Sequence, residues 1–276
     1  MPTLSIVIPV YNEQDHLQTC LEAIAAQTVM PDEVIVVDNN SSDRSAGIAA
    51  RYPFVTVVRE TKQGIAHARN AGFNAATTSL IGRIDADTIL PDTWVEHVLE
   101  LYGSGDDFAL TGSGYFYNVS LPRFNSLVTT QIAFRMNRFI MGHYILWGSN
   151  MVLPRRYWAQ VRDGVCSTNG YIHEDLDLAI HLHRLGCPIT FKEKLMVGVE
   201  MKRAFSADKT AFRANLALWP ETLYAHGLKR AWLGKLGAGF LYWGTMLFMK
   251  PAEKVIRTFK TSRQQVRSLL SFDTEV

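Results

Sequence analysis

The stretch SLIGRIDADTILPDTW, residues 79–94, ends an apolar run on two carboxylates one residue apart, Asp85 and Asp87. Two neighbouring anions repel each other, and neither of them helps an apolar core. A short run rich in Ile and Leu is typical of a buried strand. We therefore expect a positive charge between the two carboxylates, at the end of that strand.

The chain on the N-terminal side of this stretch alternates β-rich runs with helical patterns. Runs rich in Val and Ile, without clean polar alternation, predict buried strands at 4–10, 33–38, 54–58 and 80–85. Helix-like apolar spacing lies between them, at 14–27, 43–51 and 64–76. This β-α-β-α order predicts an α/β fold, with a Rossmann-like, mainly parallel sheet and helices on both faces.

Acidic residues recur where the predicted strands end. Glu13 follows the first strand, Asp38 ends the second and Asp85 ends the fourth. Because ligands gather at the carboxyl ends of the strands in such sheets, we expect these acids to share one site.

The second half of the chain is less regular. We expect strands at 108–117 and 149–154, a helix at 121–142 and two short strands near 188–200. HEDLDLAIHLHRLG (173–186) has helical spacing, and everything beyond Asp208 reads as helix. We therefore expect an α/β domain over residues 1–205 and a helical extension over residues 206–276.

The acids in HEDLDL open the predicted helix with Glu174, Asp175 and Asp177. Anions at a helix start interact favourably with the helix dipole, so capping alone explains them. A zinc motif H-E-x-x-H is excluded because position 177 is Asp rather than His. The alternative is that one of these carboxylates acts as a general base.

Two further motifs bear on ligands. The D-x-D of Asp85 and Asp87 suits either a solvated turn or a site for Mg²⁺ or Mn²⁺, and its place at a strand end favours the metal. In QGIAHARNAG (63–72), Arg69 could contact a phosphate or lie on the surface. No G-x-G-x-x-G follows the first strand, and no Walker A loop is present.

Six motifs in order carry a family resemblance: SIVIPVYNE, VIVVDNNSSD, GIAHARNAG, DADT, GSNMVLPRRYW and HEDLDL. Over roughly residues 3–200 the chain resembles the family 2 inverting glycosyltransferases, which have the GT-A fold. The resemblance implies a nucleotide-diphospho-sugar donor, with UDP-sugar favoured and GDP-sugar possible. It also implies Mn²⁺ or Mg²⁺ and inversion at the anomeric carbon.

On the nucleotide side, the resemblance implies roles for five residues. Pro9, Tyr11 and Glu13 would line the nucleoside pocket. Asp38 would accept a hydrogen bond from the base, and Arg69 would lie beside the nucleotide.

On the sugar side, the resemblance makes Asp87 the direct metal ligand, with Asp85 facing the ribose and metal-bound water. Asp175 would be the catalytic base, with Glu174 as the alternative. The segment flanking the donor sugar would be Gly148, Ser149 and Asn150.

Two departures from the family pattern refine this. An arginine that often follows the E-D pair is replaced by a choice among His181, His183 and Arg184, so the diphosphate contact there is open. The Q-x-x-R-W pattern of processive synthases is missing, which favours transfer of one sugar.

The composition of the chain disfavours several other classes of protein. A net charge of +2 argues against a nucleic-acid binder, and three scattered cysteines favour a reducing compartment. The start of the chain lacks a basic n-region, so we expect no signal peptide and a cytoplasmic location. Alternative functions are a sugar nucleotidyltransferase, disfavoured because PVYNEQD is acidic, and a catalytically inactive sugar- or lipid-binding protein.

The C-terminal part bears on membranes. Residues 236–249 are apolar but shorter than the ~20 residues that span a bilayer. Six of the 28 basic residues then recur at helical spacing between Lys250 and Arg267. This helix either packs on the body or lies on anionic lipid at the inner face of the cell membrane. The acceptor would then be a glycolipid or cell-envelope glycan.

Overall fold

A computed structural model of the chain describes residues 1–103, 105, 107–118, 131–166, 172–200 and 209–244. Its strands are β1 (Leu4–Val10), β2 (Glu33–Asp38), β3 (Val55–Arg59), β4 (Leu80–Arg83), β5 (Ala109–Phe116), β6 (Met151–Pro154) and β7 (Ile189–Val199). Its helices are α1 (Leu17–Ala25), α2 (Ser45–Ala49), α3 (Ile65–Ala75), α4 (Trp94–Tyr102), α5 (Ala133–Met141), α6 (Arg155–Val161), α7 (Glu174–Arg184), α8 (Lys209–Ala225) and α9 (Ala231–Gly244).

The strands form one seven-stranded sheet in the order β3-β2-β1-β4-β6-β5-β7. The first four of these are parallel to one another, and β5 is parallel to β7. Only β6 runs against its neighbours, pairing antiparallel with β4 and with β5. The register places Arg83, the last residue of β4, opposite Met151, the first residue of β6. The predicted α/β fold with a mainly parallel sheet is confirmed.

Helices cover both faces of the sheet, because successive strand residues point to opposite sides. Ile6 and Ile8 pack on one side with α1, α2 and α4, whereas Val7 packs on the other side with α3, α6 and α7. Helix α3 approaches the sheet closely at Gly72, where a Cβ atom would collide with the side chains of Val7 and Val37.

Two details of the sequence prediction were wrong. The run 54–58 was expected to be buried, but β3 is the edge strand and its side chains are half-buried or exposed. Two short strands were expected near 188–200, yet one strand, β7, covers Ile189–Val199 with a register shift at Gly112/Ser113 of its partner β5. The irregularity breaks the apolar alternation, so one strand resembles two in the sequence.

The helices beyond residue 208 pack on the body of the protein. Trp219 and Leu223 of α8 lie in one apolar cluster with Leu176 and Ile180 of α7. The hydroxyl of Thr222 accepts a hydrogen bond from the backbone N–H of His173, at 2.7 Å. Within the described residues, none of the helices combines the length and apolar character needed to cross a bilayer. The basic run 250–267 lies outside the described residues. The same holds for residues 121–130 of the helix expected at 121–142.

Candidate active site

Arg83 is the centre of a cluster of carboxylates at the carboxyl end of β4. Its guanidinium donates one hydrogen bond to Asp175, another to Asp85 Oδ1 at 3.2 Å and a longer one to Glu174 Oε1 at 3.5 Å. The arginine side chain is only 2% exposed. Burial alone would lower its pKa, but the surrounding carboxylates outweigh burial and raise the pKa above the usual value. Arg83 therefore stays charged and holds acids from two distant segments together.

Asp175 is buried at the start of α7, and each of its oxygens has a protein donor. Oδ1 accepts from Arg83, and Oδ2 accepts from the backbone N–H of Gly148 at 2.8 Å. Burial raises the pKa of Asp175, the negative charge of Glu174 adds to that effect, and Arg83 opposes it. Burial also disfavours the ionised form of Glu174, but the charges of His173 and Arg83 outweigh it and lower the pKa of Glu174.

The pKa values of these two adjacent carboxyl groups are shifted in opposite directions. Glu174 is held ionised, whereas Asp175 gains affinity for a proton. A pair of acids driven apart in this way is a common arrangement for dividing roles at a catalytic site. The raised pKa of Asp175 favours it as the proton acceptor of the two.

The segment 148–150 serves the site in three different ways. A Cβ atom at Gly148 would lie 2.5 Å from Cζ of Arg83, so only glycine fits beside the guanidinium. Ser149 Oγ donates to Asp85 Oδ2 at 2.5 Å. Asn150, expected near the donor sugar, is instead fully buried and ties strands together. Its amide bonds the indole N–H of Trp94 and the backbone carbonyls of Ser113 and Leu195.

Asp85 and Asp87 occupy a turn that follows β4. The backbone N–H of Thr88 donates to the carbonyl of Asp85 at 3.0 Å, so the turn interpretation of D-x-D describes the backbone. The phenol of Tyr117 donates to the backbone carbonyl of Asp87 at 3.2 Å. Burial raises the pKa of Tyr117, and the negative charges of Asp87 and Glu200 raise it further. This end of the sheet is therefore strongly acidic, and its carboxylate oxygens fit the ligand preference of Mg²⁺ and Mn²⁺.

The residues expected to hold a nucleoside lie within or just after β1 and β2. Pro9 is buried within β1 in register with Val37, whereas Tyr11 is 53% exposed beyond the strand end. Glu13 donates its backbone N–H to Ser45 Oγ at 2.8 Å, and Asp38 ends β2. Because β1, β2 and β4 are adjacent and parallel, Tyr11, Asp38 and Asp85 lie along one edge of the sheet.

Arg69 does not reach the open edge of the sheet. It is fully buried, and one of its Nη atoms donates to the backbone carbonyl of Glu174 at 2.7 Å. Its other contacts are with the amide oxygen of Asn70. Burial lowers the pKa of Arg69. Its hydrogen bond to the Glu174 carbonyl lies beneath the E-D pair. Arg69 positions the start of α7.

Sequence reasoning missed Arg83, although it stands in the middle of the quoted stretch. The available signal was a single charged residue inside an apolar strand that ends on two acids. It also missed a group formed by Asp177, His181 and His226, whose ligand atoms lie within 4.8 Å of one another. Arg184, one candidate for the diphosphate contact, instead donates to the backbone carbonyl of His226 at 2.7 Å.

The family of the chain follows from a family model. The model described as Glycosyl transferase family 2 matches residues 5–161, more than half of the chain. The chain belongs to this family. The matched region holds β1 to β4, the D-x-D turn and the segment 148–150.

Individual relatives agree with this assignment. The uncharacterized glycosyltransferase YibD of Escherichia coli K12 is 28% identical over 190 residues, covering 63% of this chain and 54% of the relative. Validoxylamine A glucosyltransferase of Streptomyces hygroscopicus subsp. limoneus is 24% identical over 256 residues, covering 78% of this chain and 55% of the relative. The chain thus spans little more than half of these curated relatives.

Solved structures agree on the fold. Mannosyltransferase PcManGT from Pyrobaculum calidifontis, in complex with GDP-Man and Mn²⁺, superposes with a TM-score of 0.63 at 18% identity, covering 94% of this chain and 80% of that one. TarS 1-349 of S. aureus, in complex with UDP-GlcNAc, gives a TM-score of 0.58 at 15% identity, covering 80% and 66%. The GT-A fold expected from the motifs is confirmed.

Proposed function

We propose that this protein is an inverting glycosyltransferase that moves one sugar from a nucleotide-diphospho-sugar to an acceptor hydroxyl. The observation that carries the proposal is the convergence of Asp85, Glu174 and Asp175 on one buried arginine at the carboxyl end of β4. Family membership and nucleotide-sugar complexes of two structural neighbours support it. We assign catalysis to residues 1–205 and treat residues 206–276 as the helical extension.

In this proposal Asp175 is the base that accepts the proton of the acceptor hydroxyl. Each carboxylate oxygen has two lone pairs, and each oxygen of Asp175 receives one hydrogen bond from the protein. Capacity for a substrate proton therefore remains, and Arg83 with Gly148 fixes the orientation of the carboxylate. The raised pKa of Asp175 strengthens it as a proton acceptor.

The donor side of the proposal uses Asp87 and Asp85. Asp87 would be the direct ligand of Mn²⁺ or Mg²⁺ at the D-x-D turn, and Asp85, which accepts hydrogen bonds from Arg83 and Ser149, would lie beside it. A divalent cation bound there supplies charge that offsets the negative charge developing on the leaving diphosphate. Tyr11, Glu13 and Asp38 lie along the edge where the nucleoside of a UDP- or GDP-sugar would bind.

Thermal unfolding with a panel of nucleoside diphosphates tests the donor class and the metal together. At about one hundredfold excess over Kd, a ligand adds about 2.7 kcal/mol of stability. We expect UDP or GDP to raise Tm by several degrees with Mn²⁺ present, and little without it. Asp87→Ala should lose that shift.

The control for this panel is Asp163→Ala, because the Asp163 side chain is 94% exposed at the end of α6. It should respond to nucleotide like the wild type. Equal Mn²⁺-dependent shifts in Asp87→Ala and wild type would remove Asp87 as the metal ligand. No shift with any nucleoside diphosphate would contradict the proposed function.

We further propose that the protein binds the inner face of the cell membrane and uses a glycolipid or cell-envelope acceptor. Four exposed apolar side chains lie on or next to helices α5 and α9: Ile132, Phe139, Trp232 and Leu236, which are 51%, 64%, 55% and 63% exposed. The guanidinium of Arg230 lies over the ring of Phe139 and joins the two helices. We call this the α5–α9 surface, and the basic run 250–267 follows it in the sequence.

Charge accompanies this apolar surface. The side chains of Arg135 and Lys235 are 58% and 59% exposed on the same two helices, where they pair with Glu193 and Glu221. The excess of basic charge is therefore in the run 250–267. Exposed aromatic and aliphatic side chains beside basic ones are typical of a helix face at an anionic membrane surface. The alternative, in which the basic run packs on the body, predicts no lipid binding.

Flotation with liposomes separates these two alternatives. We expect the full-length protein to float with vesicles that contain phosphatidylglycerol and to remain unbound with pure phosphatidylcholine, because the attraction is electrostatic. The double change Trp232→Ser and Leu236→Ser should reduce flotation, whereas Met30→Ser, an exposed apolar residue elsewhere, should not. Failure of the wild-type protein to float with anionic vesicles would contradict membrane binding and leave the transferase proposal intact.

A further inference from the structure

A second cluster of potential metal ligands lies away from the D-x-D turn. Asp177 and His181 are one helical turn apart on α7, and His226 directly follows α8. His226 Nε2 lies 2.8 Å from Asp177 Oδ1, and His181 Nε2 lies 3.5 Å from the same oxygen. Within the described part of the chain, it is the group of three His, Cys, Asp or Glu side chains whose potential ligand atoms all lie within 4.8 Å of one another.

We propose that Asp177, His181 and His226 bind a zinc ion that joins α7 to the turn between α8 and α9. Two imidazole nitrogens and one carboxylate oxygen are a common zinc donor set, with water as the fourth ligand. Zinc bonds of 2.0–2.1 Å at tetrahedral angles place ligand atoms about 3.3 Å apart. The two separations from Asp177 Oδ1 bracket that value, and the ligand nitrogens of the two histidines lie within 4.8 Å of each other.

The surroundings orient the carboxylate for this role. The backbone N–H of Cys166 donates to Asp177 Oδ2 at 2.6 Å, which directs Oδ1 towards both imidazole rings. The Asp177 side chain is 3% exposed and the His226 side chain is 10% exposed, whereas His181 is 25% exposed. An ion therefore has an entry path along His181 and a largely dry site beyond it.

The hydrogen bonds of His226 fix which ring nitrogen carries the proton of its neutral form. An Nη atom of Arg184 lies 3.1 Å from His226 Nδ1, and because arginine can only donate, Nδ1 is the acceptor. The proton of a neutral His226 ring then resides on Nε2 and points at Asp177.

The hydrogen bond from Arg184 to Nδ1 of His226 therefore opposes metal binding at Nε2 of the same ring. Zinc on Nε2 moves the ring proton to Nδ1, where it faces the donating arginine. Arg184 is exposed and can turn away, but its contact with the ring must be given up. Removal of this side chain should therefore increase the affinity for zinc, an effect that adventitious surface binding does not predict.

The experiment measures zinc directly and does not depend on turnover. Metal-free protein is titrated with Zn²⁺ against a chromophoric zinc indicator, both in wild type and in Asp87→Ala, where the D-x-D site is disabled. We expect one equivalent per chain in Asp87→Ala and at least that equivalent in wild type, with a rise in Tm. His181→Ala and His226→Ala should weaken binding by at least about tenfold, the lower end of losses caused by removing outer-shell partners alone.

Two further variants complete the test. Arg184→Ala should bind zinc more tightly than wild type, and it retains all three ligands if His226→Ala fails to fold. His183→Ala is the matched control, since this exposed histidine on α7 stacks on His143, 4.2 Å between ring centroids, outside the cluster. Absence of saturable binding, binding lost only with Asp87→Ala, or unchanged binding in His226→Ala would overturn the site. Unchanged affinity in Arg184→Ala would overturn the proposed geometry at His226.

Discussion

Replacement of Arg83 by methionine should lower the free energy of unfolding by about 3–5 kcal/mol at neutral pH, as expected when one partner of a buried ion pair is removed. Arg83 is 2% exposed and contacts three carboxylates, so methionine would fill the space and leave those acids without their shared charge. Urea unfolding monitored by circular dichroism measures the change. Activity should fall with it, because Asp175 loses the donor that orients it.

The pH dependence of this effect has a definite sign. The pKa of Glu174 is lowered in the folded protein, partly by Arg83, so this carboxylate adds stability above its unfolded pKa of about 4.3. That stability is lost as the pH falls through the lowered folded pKa. The difference between wild type and Arg83→Met should therefore be largest near neutrality and shrink below about pH 4.

The matched control is Arg135→Met, which removes an arginine from an exposed pair with Glu193. Both side chains of that pair are about half exposed, at 58% and 46%, so the cost should stay within about 1 kcal/mol. If the two variants unfolded at the same urea concentration, Arg83 would not be the charge that holds the site together.

Asp175→Asn should reduce kcat by about 10²–10⁴, the usual contribution of a general base, while nucleotide binding with Mn²⁺ is retained. The amide keeps the size of the side chain but cannot take a proton at neutral pH. Steady-state kinetics with the donor identified by the thermal panel, together with the Tm shift of the variant, separates loss of chemistry from loss of binding.

Glu174→Gln is the companion variant, since Glu174 is the alternative base. We expect it to retain far more activity than Asp175→Asn, because its lowered pKa makes Glu174 the weaker proton acceptor. The opposite ranking would move the base to Glu174. In wild type, kcat/KM should fall as the pH drops through the raised pKa of Asp175, above the ~3.9 of an ordinary aspartate.

The sequence allowed the fold to be predicted because its main determinants are local. Strand and helix periodicity reaches only a few residues along the chain, and β1, β2 and β4 were recognisable from such runs. The site was predictable where acids coincide with strand ends, as at Asp38 and Asp85, since the sheet brings those ends to one edge. The exposure of β3 follows from its position at the edge of the sheet. That position depends on the order of all the strands and cannot be predicted from the five residues of β3.

The partners of buried polar side chains were not predictable in the same way. Arg69 and Glu174 are 105 positions apart, and Asn150 bonds Leu195 across 45 positions. Arg69 and Asn150 belong to recognisable motifs, yet their contacts depend on which elements meet in space. His226 joins Asp177 for the same reason, 49 positions away.

The reversed direction of β6 has a consequence for how such proteins diversify. Because β6 is antiparallel to β4, the first residue of β6 lies beside the last residue of β4. Residues 148–150, which precede β6, are therefore placed next to the acids. The four-residue ladder of β6 anchors this placement. Insertions or deletions upstream of Gly148 can therefore change the loop that precedes the acids during evolution, while the strand pairing that aligns residues 148–150 with them is inherited unchanged.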